Sequence, residues 1–476
     1  MTARSVAGDR ARGNAPAAFS EKLAIVRDPL RVLLFMLTVL TISRVHQHYP
    51  MLAKLRPALL LITASCGYAF LNPHSLTRRN VLERWPMVLV AILAVLSCLS
   101  VVFGISLGGS ASFILGSYSK TVAYAFLLAI SIRHARDLFT FVWAYVIACA
   151  ILAYFSLFVF GLSSESANYL ARLSELYTYD SNDLGVVMMI GFPLTLLLLT
   201  VERGAKRWLL LLILVGIWAS MARSGSRGGF LGFVAVCVAG VFLINNVSAA
   251  RRLSFLAAAL LVLAVGAPPG YWKQMGTIVT PTEDYNYSSV EGRRALMKRA
   301  GGYMSSYPAF GLGIGNFGRA ECTISPKALG RISGPMKCSA PHNSFLQAGA
   351  ELGPAGLFVW SALVIGGIVG PLSLRKRLPK GWRTGTPTEQ FIYSATTFFS
   401  IAMIGFAVTS FFVSFAWLDP IYVMAAFLTG LYVATREYAD DAGPLGIRRT
   451  TPQPSRVTRG WRVRQSTQRF RSIAPT

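Results

Sequence analysis

The chain has 476 residues, of which 54% are hydrophobic and 14% charged. That balance excludes an ordinary soluble domain, and the absence of alternating segments of roughly ten residues excludes a β-barrel. The formal net charge of +26 reads as membrane orientation rather than nucleic-acid binding, because the basic residues sit mainly in loops and tails.

Residues 1–28 are polar and basic, with no short apolar core before a small-residue cleavage site, so no cleavable signal peptide is expected. Twelve apolar spans follow, near 29–43, 57–72, 86–107, 113–132, 138–160, 184–201, 208–222, 228–247, 254–270, 343–370, 391–415 and 419–435. The fold class expected is therefore all-α, a polytopic helical membrane protein with about twelve transmembrane helices. One long, partly helical loop separates the ninth span from the tenth.

With the N-terminus in the cytoplasm, the cytoplasmic segments hold 29 of the 46 Lys and Arg residues. This bias sets both termini inside and the loop outside, in the periplasm. The chain then divides into a basic cytoplasmic segment 1–28, membrane helices over 29–270, a periplasmic loop 271–342, membrane helices over 343–435 and a cytoplasmic tail 436–476. The tail is rich in Arg, Pro, Ser and Thr and is expected to be disordered.

Cys66, Cys98, Cys149 and Cys237 fall within spans and read as small packing residues. Cys322 and Cys338 lie in the loop, where an oxidising compartment favours a disulfide.

Three outer stretches carry unusual chemistry. In "MARSGSRGGFLGF", Arg223 and Arg227 lie in a turn between two spans, and Ser226 can cap the second. Arg227 then sits at a helix N-terminus, which favours anions. Snorkelling to the interface is the alternative for both.

In "EGRRALMKRAGGYMSSYPAFGLGIGNFG", Arg293, Arg294, Lys298 and Arg299 read as a basic helix. Its outer location points to an anionic ligand. The fragment "GLGIGNFG" contains G-x-G-x-x-G but follows no strand and reads as a tight turn.

In "APHNSFLQAGAELG", Asn343 or Ser344 can cap the tenth span, with Gln347 completing a capping box on Ser344. Capping leaves His342 unexplained. Glu351, two turns inward, is either a buried hydrogen-bond anchor or a supporting partner. The loop tyrosines Tyr271, Tyr285, Tyr287, Tyr303 and Tyr307, with Trp272, can stack on sugars or form an interfacial belt.

These three motifs, preceded by "YDSNDLGVVMMIGFPLTL", resemble in this order the hallmarks of the O-antigen ligase/polymerase family of bacterial membrane glycosyltransferases. The resemblance covers roughly residues 180–370. Met297 departs from it, standing where many members carry tryptophan.

The resemblance implies transfer of a glycan from an undecaprenyl-diphosphate carrier, at the periplasmic face of the inner membrane. The acceptor is lipid A–core for a ligase and another carrier-linked glycan for a polymerase. Its functional arginines fall on Arg227 and Arg293, with Arg294 a neighbouring rival, and its histidine falls on His342.

Arg223, Arg294 and Lys298 are further diphosphate contacts, and Asn343, Glu351 and Asp183 are expected to support the site. His342 is either the general base or a phosphate-binding imidazolium. No metal and no cofactor is expected, although Asp180, Asp183 and Glu351 are available oxygen ligands. Expected partners are the lipid-linked donor, the acceptor, membrane lipid and other polysaccharide export or assembly proteins, with no nucleic acid. A transporter of an anion or lipid-linked sugar, a protein O-oligosaccharyltransferase and a non-catalytic assembly subunit are the alternatives.

Overall fold

A computed structural model describes residues 23–163, 172–173, 179–244, 248–254, 256–257, 267, 270–280, 282, 292–331 and 338–442. The expected tyrosine contacts at Tyr285 and Tyr287, most of the ninth span and the tail beyond 442 lie outside these residues.

The described chain is helical apart from one two-residue antiparallel ladder, Leu162–Ser163 with Arg172–Leu173. In chain order the helices are α1 (Pro29–Ser43), α2 (Pro50–Lys54), α3 (Pro57–Leu71), α4 (Trp85–Phe103), α5 (Leu107–Phe113), α6 (Ser119–Ser131) and α7 (Ala135–Phe158). Next come α8 (Ser181–Val201), α9 (Ala205–Ser224), α10 (Arg227–Leu243), α11 (Tyr271–Gly276), α12 (Arg293–Ser306) and α13 (Phe317–Thr323). The last three are α14 (Ser344–Arg377), α15 (Pro387–Ser410) and α16 (Asp419–Ala442).

Among the described residues seven helices are long and apolar enough to cross a membrane, counting α5 to α6 as one, against the twelve spans expected. Three more, α1, α3 and α10, are apolar but shorter. α3 starts at Pro57 as expected and is simply short, α10 starts at Arg227 but ends at Leu243, short of the expected 247, and α16 begins at Asp419 and ends in charged residues.

α16 also runs to Ala442, past the expected start of the tail at 436. Arg79 holds it there, meeting Glu437 at 2.9 Å and Asp440 at 2.5 Å. Among the cysteines assigned to packing, Cys149 is buried and Cys237 half-buried. Cys66 and Cys98 instead lie on the outer surface of the bundle, so packing does not account for them.

α15 is central, packed against α8, α10 and α14. α10 and α15 approach closely because small residues face each other, Gly232 against Thr409 and Gly405 against Val236. Large apolar side chains such as Phe158, Trp208, Phe242 and Phe358 remain exposed around the bundle. A lipid-facing surface needs this arrangement, and water would oppose it.

The tenth span, expected as one continuous helix, is broken. Gly353 has φ 75 and ψ −177 inside α14, and Pro354 follows. Pro354 offers no N–H to the Ala350 carbonyl. The "GLGIGNF" turn supplies the missing donors. Leu312 N donates to Ala350 O at 2.8 Å, and Gly313 N to Glu351 O at 3.0 Å. A side chain at Gly311, whose φ is 66, would collide with Glu351 backbone at 2.5 Å. Only glycine allows the turn to seat so closely.

A buried charge cluster locks the opposite end. Arg31 is fully buried, donates to Ser131 O at 2.5 Å, and meets Asp137 at 3.3 Å and Asp28 at 3.2 Å. Replacing Arg31 by alanine strands the buried Asp137 carboxylate. We expect thermal unfolding in detergent to register a loss of about 3–5 kcal/mol; unfolding coincident with the wild type would show that the pair is dispensable.

Candidate active site

Polar helix ends converge on one end of the bundle. Asp180 caps α8, accepting from Asn182 N at 2.6 Å and Asp183 N at 2.7 Å, while the Asp183 carboxylate accepts from Asp180 N at 3.0 Å. Ser226 caps α10, accepting from Gly229 N at 3.1 Å and donating to Asn182 Oδ1 at 3.0 Å. That bond fixes the start of α10 against the start of α8. Arg227, the first residue of α10, donates from Nη1 to Thr277 Oγ1 at 2.8 Å, just past α11. Arg223 turns elsewhere and reaches Phe160 O at 3.4 Å.

α12 starts at Arg293 and buries Leu296, Ala300 and Tyr303. Arg293 lies on this inward face and is half-buried, whereas Arg294 and Lys298 are exposed. The neighbouring Arg299 is tied to the buried Glu321, with Nη2 to Oε2 at 2.7 Å and Nε to both carboxylate oxygens at 3.0 and 2.9 Å. Tyr303 OH donates to the same carboxylate at 2.9 Å. Tyr303 and Tyr271 are buried, which removes them as stacking platforms.

Glu321 lies on α13 beside Cys322, which forms a disulfide to Cys338 with Cα atoms 5.1 Å apart. That bridge anchors the segment leading to His342.

His342 is half-buried and has φ 49, an uncommon conformation for a residue other than glycine. Its backbone N–H donates to Ser414 Oγ at 2.9 Å. Burial lowers the imidazole pKa below its ordinary 6.5, the positive charge of Arg293 lowers it further, and Asp180 opposes both. Arg293 and Asp180 therefore both lie within electrostatic reach of His342.

Asn343 caps α14, accepting from Leu346 N at 3.0 Å. The capping box expected on Ser344 does not form. Ser344 Oγ donates to Val413 O and accepts from Phe415 N, and Gln347 Oε1 accepts from Ala416 N. The loop between α15 and α16 offers better partners than the helix itself.

Glu351 is buried and accepts from Gly315 N at 2.7 Å, Phe317 N at 3.3 Å and Trp417 Nε1 at 2.6 Å. It is a hydrogen-bond anchor. Among the described residues no three His, Cys, Asp or Glu side chains are grouped to hold a metal ion.

A cavity of about 560 Å³ adjoins this end. Leu231, Val234, Ala235 and Val238 of α10 line it, with Val408 of α15 and the following Phe411 and Phe412. Met297 and Asn343 complete the lining, one turn past Arg293 and one residue past His342. Leu231 lies one turn past Arg227 on the same face of α10.

Residues 209–361 match the family model described as O-Antigen ligase. Over that stretch, about a third of the chain, the sequence is similar to the O-antigen ligase/polymerase family. The matched region takes in Arg227, Arg293, His342 and Glu351. No curated protein matches the chain. The matched stretch and the apolar helices together have the character of a multi-pass bacterial membrane protein of the ligase/polymerase type, a type that works on a lipid-linked glycan donor and an acceptor.

Further residues at this end carry no sequence signal of their own. Arg44, in the left-handed region at φ 52, stacks over Tyr179 at 4.2 Å and lies 3.9 Å from Asp419. Thr121 donates to Asp419 at 2.6 Å. Only the basic residue directly after the first span hints at this cluster.

Glycine adopts φ 49 without strain, so the backbone at His342 can be tested apart from its side chain. His342→Gly is expected to melt within about 1 kcal/mol of the wild type, and His342→Val to lose more than that, because β-branching resists positive φ. Calorimetry in detergent checks both; equal melting of the two variants would contradict the strained geometry.

Proposed function

We propose that the protein transfers a glycan from an undecaprenyl-diphosphate carrier to an acceptor hydroxyl at the periplasmic face of the bacterial inner membrane. The observation that carries the reading is the apolar cavity lined by Leu231, Met297 and Asn343, which lie one turn past Arg227, one turn past Arg293 and one residue past His342. A polyprenyl chain needs such a groove, and its diphosphate needs cations at the mouth. Arginine suits that task because its planar fork holds phosphate oxygens bidentately and stays charged.

In this reading the acceptor oxygen attacks the anomeric carbon of the donor. The bond from that carbon to the phosphate oxygen breaks, and the carrier diphosphate leaves with the electron pair. Arg227 and Arg293 stabilise the growing negative charge. The acceptor proton passes to His342. A lowered pKa keeps the imidazole neutral at pH 7, which favours the base over the phosphate-binding imidazolium. The exposed Arg294 and Lys298 then contribute long-range attraction, and Arg223 holds the end of α9. Asp183, Asn343 and Glu351 fix the helix ends that carry the site.

The same reading puts both termini in the cytoplasm, residues 1–28 and 436–476 at the inner surface, and the loop 271–342 in the periplasm. The two ends of the bundle support it. Asn182, Ser226, Thr277, His342 and Ser414 gather at one, and Arg31, Asp137, Arg79 and Glu437 at the other.

In a deletion strain, Arg227→Ala, Arg293→Ala and His342→Ala are each expected to lower surface polysaccharide by at least about 100-fold at normal abundance. Arg294→Ala should retain most of it. Normal polymer in all three would sink the site. Loss of core-attached polymer with carrier-linked chains retained identifies a ligase, and loss of chain growth identifies a polymerase.

The pH dependence follows from the lowered pKa. The transfer rate should fall on the acid side with an apparent pKa below 6.5. Stability has the same sign. The unfolded chain binds a proton near 6.5 that the folded protein resists, so this contribution is intact above 6.5 and is lost as pH falls from there toward the lowered folded value. An acid limb at or above the ordinary histidine value in single-turnover rates would remove His342 as base.

A further inference from the structure

A second cavity lies at the other end of the bundle, far along α10 from Arg227. It holds about 370 Å³, within the range of small-molecule pockets. Phe192, Leu196 and Thr200 line it from one face of α8, Val236 and Gly240 from α10 with Ile244 just past its end, and Phe398 and Ile401 from α15. From Thr200 to Phe192 the helix rises about 12 Å, so the cavity is a slot running along the bundle. Its walls are apolar, while Arg251 and Arg252 line its end.

Arg252 donates from Nη1 to Val241 O, which turns the guanidinium toward the slot. Its Nε is buried and makes no hydrogen bond. Arg251 is exposed. A buried N–H without an acceptor is costly, and because both arginines line the same slot an anion there would meet two cations.

We propose that this slot binds an anionic diacyl phospholipid of the surrounding membrane, with one acyl chain between α8, α10 and α15 and the phosphate on Arg251 and Arg252. Charge complementarity selects the occupant. The long apolar slot takes a chain, the paired cations take one phosphate, and the basic end matches the anionic leaflet. The site is separate from the cavity beside Arg227, and only the choice of leaflet rests on the orientation proposed above.

Gly240 provides a clean test. A Cβ there would meet only Ile244 Cδ1 at 3.6 Å, an ordinary contact, so the first atom of a leucine side chain fits beside the slot without displacing backbone. The probes are phosphatidylglycerol and phosphatidylcholine of equal chain length, each titrated into the full-length protein in detergent and read by native mass spectrometry. The wild type is expected to retain phosphatidylglycerol about thirtyfold more tightly, as two phosphate-facing cations allow.

Arg251→Gln with Arg252→Gln should abolish the preference. Gly240→Leu should abolish retention of both lipids while leaving thermal unfolding without lipid unchanged or raised. Equal retention of the two lipids by the wild type overturns the proposal, as does an undiminished preference in the double variant or in Gly240→Leu. A lowered melting temperature in Gly240→Leu calls for Cys237→Phe, which fills the same slot, and retention by that variant overturns the proposal too.

Discussion

A single buried carboxylate organises the end of the bundle that carries His342. Glu351 sits in the first part of α14 and accepts three hydrogen bonds from two other segments. Gly315 and Phe317 belong to the glycine-rich turn, and Trp417 belongs to the loop between α15 and α16. Three donors are needed, because a buried carboxylate without them would lose its hydration uncompensated. The break at Gly353 makes the arrangement possible, since an intact helix would consume the carbonyls of Ala350 and Glu351. The turn completes the helix from outside, and the same chain segment runs on through α13 and the disulfide to His342.

His342 is consequently held from several directions. The disulfide limits the preceding segment, the Ser414 hydroxyl takes its N–H, and the Asn343 cap fixes the helix that follows. A left-handed backbone at a non-glycine residue persists only where the surroundings over-determine it. Those surroundings also set its chemistry. Burial and the Arg293 guanidinium both disfavour a second positive charge on the imidazole.

Much of this was legible in the sequence, and for identifiable reasons. Apolar runs and the alternation of basic segments mark the spans. Ser226 and Asn343 are capping residues at the start of apolar runs, a signal contained within four residues. Arg293 is separable from Arg294 by phase, because Leu296, Ala300 and Tyr303 lie three, seven and ten residues after it and share its face. The kink at Gly353–Pro354 had a local signal too, but it was submerged in a long apolar run. What was not legible depends on contacts far apart in sequence. Gln347 bonds to Ala416 in place of its own helix, Arg44 finds Tyr179 and Asp419, and the positive φ at His342 arises from the loop it meets.

The two ends of the bundle use acidic residues differently. At one end Asp137, Glu437 and Asp440 meet arginine side chains. At the other end several carboxylates are engaged mainly by backbone donors, Asp180 and Asp183 within one helix cap and Glu351 across the turn. Glu321 is held by Arg299, and Asp419 by Thr121 with Arg44 nearby. Arg227 meets a neutral threonine hydroxyl there. That bond ties the start of α10 to the residues after α11, as the Ser226 bond to Asn182 ties it to the start of α8, so the first residue of α10 is positioned by two separate segments of the chain.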